Sequence, residues 1–399
     1  IINLLLLNNF YPVISYRRII LLYILSVRER NGTISKQKSL LICVITFIIF
    51  FCFRGFVGWD WMNYYPIFKN VDNLFHFSSS SFVIVYGRNV TSEIIEPGYI
   101  IYVSILKTIW DNWHFFVFVT TLIPILAISY IVKKYSYNIA LSFALFFALY
   151  LGLLIDLMRN SLSISIFLFS LEFIRKRRLV PFLCLAFVGF NFHRTFISLV
   201  PLYFLYECRV PSKKVWLLFI VCNVIFFLQV PVVTTLAKDI LPYLGESSSA
   251  TKVSNYLNKG YSAVARGLTL GYFVRVIVFL LLMSKIQIVQ SKKELNFFFN
   301  AYLVYLFITL GMSDMRSFVD RLEYVYCFPF LVLYPFLDKV IALKWKSIYR
   351  IFLLSFCILK IYSYTSSFML KYETMFENKS FIEQYSIKRT VGDKIINAL

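Results

Sequence analysis

Four short stretches of this chain set charged side chains against long apolar runs. RGFVGWDWMNYYPIF (54–68) brings Arg54, Asp60 and Tyr64 directly after the oily run ICVITFIIFFCF. LLIDLMRNSLSISIFLF (153–169) carries Asp156, Arg159 and Asn160. FNFHRTFISLVPLYF (190–204) holds His193, one of only 3 histidines, followed at once by Arg194. SDMRSFVDRLEYVYCFPF (313–330) contributes Arg321 and Tyr324, and Glu96 opens a further apolar segment, EPGYIIYVSILKTIW (96–110). Arginine holds phosphate oxygens in a bidentate fork. A carboxylate or a neutral imidazole can take a proton from a hydroxyl. These residue types suit a site that binds an anionic ligand and deprotonates a neighbour.

Each stretch also has a plainer reading. Gly55 and Gly58 allow a tight turn as the chain leaves an apolar run. Asp60 is placed to cap a short helix, with Tyr64 one turn on and Pro66 tending to end it. Trp59, Trp61 and Tyr65 fit an interfacial aromatic belt, and arginine snorkels. Asp156 and Arg159 are three apart, the spacing of a local ion pair. Arg194 beside His193 favours a neutral imidazole. Arg321 and Tyr324 share a helix face, and no interfacial rule explains an arginine at that end. His76 and His114 have no comparable setting.

The elements that must position these residues are membrane helices. The chain is 59% hydrophobic, 19% aromatic and 15% charged, with apolar runs along its whole length. The runs are continuous rather than alternating, so the expected fold is an all-α polytopic membrane protein. Candidate spans are 4–27, 39–53, 114–132, 138–155, 160–174, 179–192, 195–206, 215–233, 268–284, 295–311, 322–337 and 347–368. That gives about 11–13 transmembrane helices. The first is the weakest, because Arg17–Arg18 mark a potential break, and residues 1–27 show no cleavable signal-peptide pattern.

A net charge of +21 raises nucleic acid as a partner, but its distribution excludes it. The basic residues lie in short loops: 28–38, 133–134, 175–178, 213–214 and 291–293. That is the positive-inside pattern of cytoplasmic loops. With those loops inside, residues 96–110 form a re-entrant or interfacial helix rather than a span. The isolated polar clusters, including Asp314, Arg316, Asp320 and Glu323, then all fall outside. The larger outer loops are about 54–113 and 234–267. Residues 1–368 read as one membrane domain, with a polar tail over 369–399. The 7 cysteines form no CxxC and read as small core residues, and no metal-ligand spacing occurs.

At these residues the chain resembles the EpsG/Wzy-type family of bacterial polysaccharide polymerases. The outer motif of that family matches Arg54, Gly58, Asp60, Tyr64 and Phe68, with Trp59 in the slot before the aspartate. A Glu-x-Gly-Tyr helix start matches Glu96, Gly98 and Tyr99. An Arg-Gln-small helix start matches Arg159, with Asn160 where Gln is more usual. A histidine at a turn matches His193, with Pro201 and Tyr203 after it, and a late Arg-x-x-Tyr matches Arg321 and Tyr324. The likeness covers most of residues 40–340, and nothing carries over to 234–267.

The resemblance implies a glycosyltransferase that joins undecaprenyl-pyrophosphate-linked repeat units at the outer face of the bacterial cytoplasmic membrane. O-antigen, capsule or exopolysaccharide would be the product. Asp60 or His193 would act as base. Arg54, Tyr64, Glu96, Arg159, Arg194, Arg321 and Tyr324 would bind pyrophosphate and glycan. No cofactor or metal is implied. Partners would be the lipid-linked oligosaccharide, membrane lipid, a chain-length regulator and a flippase. The rival readings are an O-antigen ligase, a polyprenyl-phosphate-sugar glycosyltransferase, and a lipid-linked-sugar flippase or transporter. A transporter would show repeat symmetry and mid-membrane charge, and neither is evident.

Overall fold

The computed structural model describes residues 10–77, 95–244, 254, 267–365, 368–370 and 372–376, with isolated positions at 383, 385, 386, 389 and 390. Much of the two predicted outer loops and of the tail lies outside these residues, including SSSS at 78–81. The described chain is all α-helical, as expected of a polytopic membrane protein, apart from short 3-10 and π turns and one isolated bridge between Arg54 and Thr374. Among the described residues, three helices are long and apolar enough to cross a bilayer: Trp113–Tyr135, Lys293–Gly311 and Leu343–Tyr364. A bent pair raises the number to four. Five shorter apolar helices of 10–17 residues accompany them among the described residues, and several of the predicted runs are broken.

The physical causes of the breaks are local. The run 195–206 contains a 3-10 turn, Arg194–Leu199, and a four-residue helix, Leu202–Leu205, on either side of Pro201. The run 215–233 divides into Ser212–Leu228 and a second helix from Val232, bent by 81°. Gln229 takes left-handed φ of 51° at that bend, and Pro231 follows. The run 322–337 divides into Arg316–Val325 and Phe330–Val340 around Pro329. In contrast, Phe10–Arg30 continues unbroken across Arg17 and Arg18. The Pro97–Ile109 helix has 13 residues, about 20 Å at the α-helical rise. That is too short to span a hydrocarbon core of about 30 Å.

The chain divides into two compact units. The first comprises Ile1–Leu171, Val180–Ile197 and Ile341–Leu399. Its core is aromatic: Phe47, Phe50 and Phe51 meet Phe143, Phe146 and Phe147, with Phe47 edge-on to Phe143 at 4.9 Å. A buried carboxylate orders the basic-loop end. Glu29 accepts hydrogen bonds from Ser39 Oγ (2.7 Å) and from the first amides of the Ile139–Ile155 helix, Ile139 (2.8 Å) and Ala140 (3.0 Å). It satisfies donors that a helix start cannot satisfy itself.

The second unit comprises Glu172–Leu179 and Ser198–Val340. Lys293–Gly311 is its central helix. Asn296 and Asn300 donate to the Cys208 carbonyl at 2.8 and 2.7 Å, so two buried amides tie the helix to the preceding turn. Asp314 caps the far half of the bent pair, accepting from the amides of Val233 (3.1 Å) and Thr234 (2.8 Å). Five of the seven cysteines are buried, consistent with core packing, while Cys184 and Cys208 are exposed.

Candidate functional site

The first unit assembles its polar residues around three chain segments. The Arg54–Asp60 loop follows a π-helical turn, Ile48–Cys52, that ends the first apolar run of this motif. Arg54 is only 2% exposed. Its Nη1 donates to the Phe51 carbonyl (2.7 Å) and to Thr121 Oγ1 (2.6 Å), and its Nη2 is buried without a partner. Burial lowers its pKa to about 10, against the pull of Cys52, Asp156 and Tyr372. It remains a cation at neutral pH.

Residues 368–370 and 372–376 pack back along this loop. Gly55 N–H donates to the Glu373 carbonyl (2.8 Å), Gly58 N–H to Met369 (2.8 Å), and Met375 N–H to Phe53 (3.0 Å). Tyr372 stacks on Phe50 at 4.2 Å and donates to its carbonyl (2.6 Å). This part of the expected polar tail is therefore structural, and it lies on the same side as the Arg54 loop.

Asp60 does not cap the Trp61–Asn70 helix with its side chain, contrary to expectation. Its backbone is α-helical, φ −74° and ψ −16°, which is unlike the extended geometry of a side-chain cap. Asp156 does the capping from elsewhere in the chain. Its Oδ1 accepts from the amides of Trp59 (2.6 Å) and Asp60 (3.2 Å). Gly58 makes this approach possible: its φ is +95°, and an added Cβ would run into the Asp156 carboxylate. Pro66 does not end the helix either, which continues to Asn70. Proline leaves the carbonyl four residues earlier without its usual donor. That carbonyl, on Met62, accepts from Arg389 Nη1 at 3.3 Å.

The central cluster forms around Arg159, the second residue of the Met158–Arg175 helix. Its Nη1 lies 2.7 Å from Glu96 Oε2, not on Asp156, so the expected local pair is replaced by one across 63 positions. The guanidinium carbon stands 5.8 Å from the Tyr64 ring and 6.0 Å from the Tyr99 ring. Nε is buried without a partner, although the side chain as a whole is 24% exposed. Tyr64 is raised to about 12 by burial, with Arg159 pulling the other way. Glu96 is pushed up by burial, but Arg159, His193 and the Arg194 amide outweigh this and hold it below the usual carboxylate range.

Gly98 lets the Pro97–Ile109 helix approach Asn191 closely, since a Cβ there would stand 2.9 Å from Asn191 atoms. This close approach brings Glu96 and His193 together. His193 Nδ1 lies 2.8 Å from Thr195 Oγ1, and that hydroxyl donates to Asn160 Oδ1 at 2.6 Å. Asn160 is thus joined to the histidine turn through Thr195. The Arg194 side chain is exposed, and its backbone amide is the part that reaches Glu96.

Tyr64, Glu96, Arg159 and His193 therefore form one cluster, and Asp60 adjoins it through Tyr64, on which its charge acts. Arg321, exposed, and Tyr324, half-buried, belong to the Arg316–Val325 helix of the second unit. Two features are not legible in the sequence. One is the role of Asp156 as receptor for the loop amides. The other is Arg275, absorbed into an apolar span. It is 3% exposed, and its Nη1 meets Tyr305 Oη at 3.1 Å and Glu323 Oε1 at 3.5 Å. A single arginine inside LGYFVRVIVFLLLM was the available signal. No group of three or more metal-ligating side chains occurs among the described residues.

One family model, described as the EpsG family, matches residues 38–374 of this chain. The match contains all of the cluster, and its limit falls within the segment that packs along the Arg54 loop. Comparison with curated proteins and with solved structures finds no match.

Proposed function

We propose, from the premise that the chain belongs to the EpsG family, a specific reaction within the polysaccharide-polymerase type of function that this family supports. The protein joins polyprenyl-diphosphate-linked oligosaccharide repeat units, with undecaprenyl as the lipid, at the outer face of the bacterial cytoplasmic membrane. The observation that carries the reading is Arg159. It is a cation set between a carboxylate and two tyrosine rings, with an unpartnered Nε, at the start of an apolar helix. A diphosphate at headgroup depth supplies a second anion, beside Glu96, for such a cation.

The reaction breaks the bond between the anomeric carbon of the growing glycan and its diphosphate oxygen. It forms a bond from that carbon to a hydroxyl oxygen of the incoming unit. Arg159 stabilises the charge developing on the departing diphosphate. Asp60 takes the acceptor proton, and the polyprenyl diphosphate leaves with the electron pair. Glu96 orients the guanidinium, and His193 lines the same cluster. Arg54 is tied to Phe51 and Thr121, which suits holding the loop rather than gripping ligand. Arg194 contributes a contact to the glycan or its lipid diphosphate. Arginine supplies the charge in this scheme, so activity should persist with a chelator present.

Deleting the gene and resolving the cell's glycans by repeat number tests this reading. A ladder that collapses to a single capped repeat supports a polymerase. Loss of every band, including the single repeat, points to a ligase, a flippase or a monomer transferase.

A further inference from the structure

The Trp61–Asn70 helix ends against the Pro97–Ile109 helix, and one side chain makes most of the joint. Lys107 Nζ donates to the carbonyls of Phe68 (3.1 Å), Lys69 (2.9 Å) and Val71 (2.9 Å). A helix end leaves its last carbonyls without intrahelical donors and carries partial negative charge. An ammonium has three N–H donors on one atom, so Lys107 alone answers three carbonyls. It also stands 5.5 Å from the centre of the Phe68 ring. Ser104 and Thr108 share a helix face with Lys107 and extend the joint. Ser104 Oγ donates to the Asp72 carbonyl (2.7 Å), and the Leu74 amide donates to Thr108 Oγ1 (2.8 Å).

These two helices are the ones that flank Arg159. Tyr64 lies about one turn before Phe68, and Tyr99 about two turns before Lys107. Their ring centroids are 5.9 Å apart, with the Arg159 guanidinium near both. Glu96, which pairs with Arg159, immediately precedes the second helix. A joint that stops one helix sliding along the other therefore also sets how the two tyrosines meet the guanidinium. We infer that Lys107 is a positioning residue: by tying the end of the Trp61–Asn70 helix to the Pro97–Ile109 helix, it holds Tyr64 and Tyr99 in register around Arg159. This rests on the reading of Arg159 as the group that stabilises the departing diphosphate. The three ammonium protons are committed to carbonyls, so Lys107 acts through the helices and not on the ligand.

Hydrogen exchange of the purified protein, read by mass spectrometry, tests the joint without any assumption about polymer. In Lys107→Met the amides of residues 64–74 should exchange about 10-fold faster or more, since charge-assisted hydrogen bonds to that end are lost. Unchanged exchange overturns the inference. Polymerisation in proteoliposomes, normalised to folded protein, tests the positioning. Lys107→Met should lower kcat by about 10-fold and leave KM for the lipid-linked unit near its wild-type value, because charge on the departing diphosphate develops only in the transition state. In an Arg159→Lys background the same substitution should cost far less, since the group it positions is already gone. Equal losses in the two backgrounds, or a raised KM at wild-type kcat, reduce Lys107 to a helix cap and overturn the inference. Where Lys107→Met does not accumulate, Ser104→Ala removes the Asp72 contact alone and should give smaller changes in the same direction, read by the same criteria. A wild-type protein that forms no polymer contradicts the proposed function instead, and the exchange result still decides whether Lys107 holds the two helices together.

Discussion

Arg159 Nη1 lies 2.7 Å from Glu96 Oε2, across two helix starts that the sequence separates by 63 positions. The pair leaves Nε for another acceptor and holds the guanidinium plane near two tyrosine rings. A lysine can keep the charge but cannot serve two acceptors in one plane. Arg159→Lys should therefore lower polymer formation by about 100-fold at normal protein level. Glu96→Gln should lower it less. The readout is polymer per unit of protein in a complemented deletion strain.

The pH dependence of stability has opposite signs at the two carboxylates. Asp156 is raised from an ordinary value of 3.8 to about 7, so its folded form binds a proton more tightly. Its stabilisation is complete below 3.8 and is lost as pH rises through about 7. Glu96 is lowered, so its contribution is present above the usual carboxylate range and lost as pH falls through its folded value. The detergent-solubilised protein should therefore melt at a lower temperature as pH is raised from about 5 to about 8, and Asp156→Asn should flatten that slope.

The segment around Tyr372 should matter to the Arg54 loop despite its distance in sequence. Tyr372→Phe removes one hydrogen bond to the Phe50 carbonyl and should cost about 1 kcal/mol. Tyr372→Ala also removes the ring stacked on Phe50 and should cost about 3–5 kcal/mol. Chemical denaturation of the two variants separates the contributions.

In the second unit, Arg275 is buried against Tyr305 and Glu323. Removing one partner strands the other. Arg275→Met should destabilise by about 3–5 kcal/mol, and adding Glu323→Gln should restore part of the loss. Melting temperatures of the single and double variants check this.

Membrane character and helical class were legible in composition, because continuous apolar runs leave few alternatives. The short Pro97–Ile109 helix was legible as non-spanning from the placement of basic loops. Helix breaks were less legible. Gln229 in the left-handed region and Pro329 interrupt runs whose hydropathy gives no warning. The residues of the cluster were recognisable by type, but their partners were not. Arg159 chooses a carboxylate 63 positions away over one three positions away, and only tertiary packing decides that. Asp60 had the right identity for a cap and the wrong backbone geometry. Residues 369–370 and 372–376 read as polar tail because much of their role is carried by backbone groups, which composition does not register.

The most direct measurement is reconstitution of the purified protein in liposomes with a polyprenyl-diphosphate-linked oligosaccharide of one repeat. The expected result is a ladder of glycans, with one polyprenyl diphosphate released per linkage, and about 100-fold less ladder from Arg159→Lys. Movement of the lipid-linked unit across the bilayer without any new glycosidic bond would contradict the account.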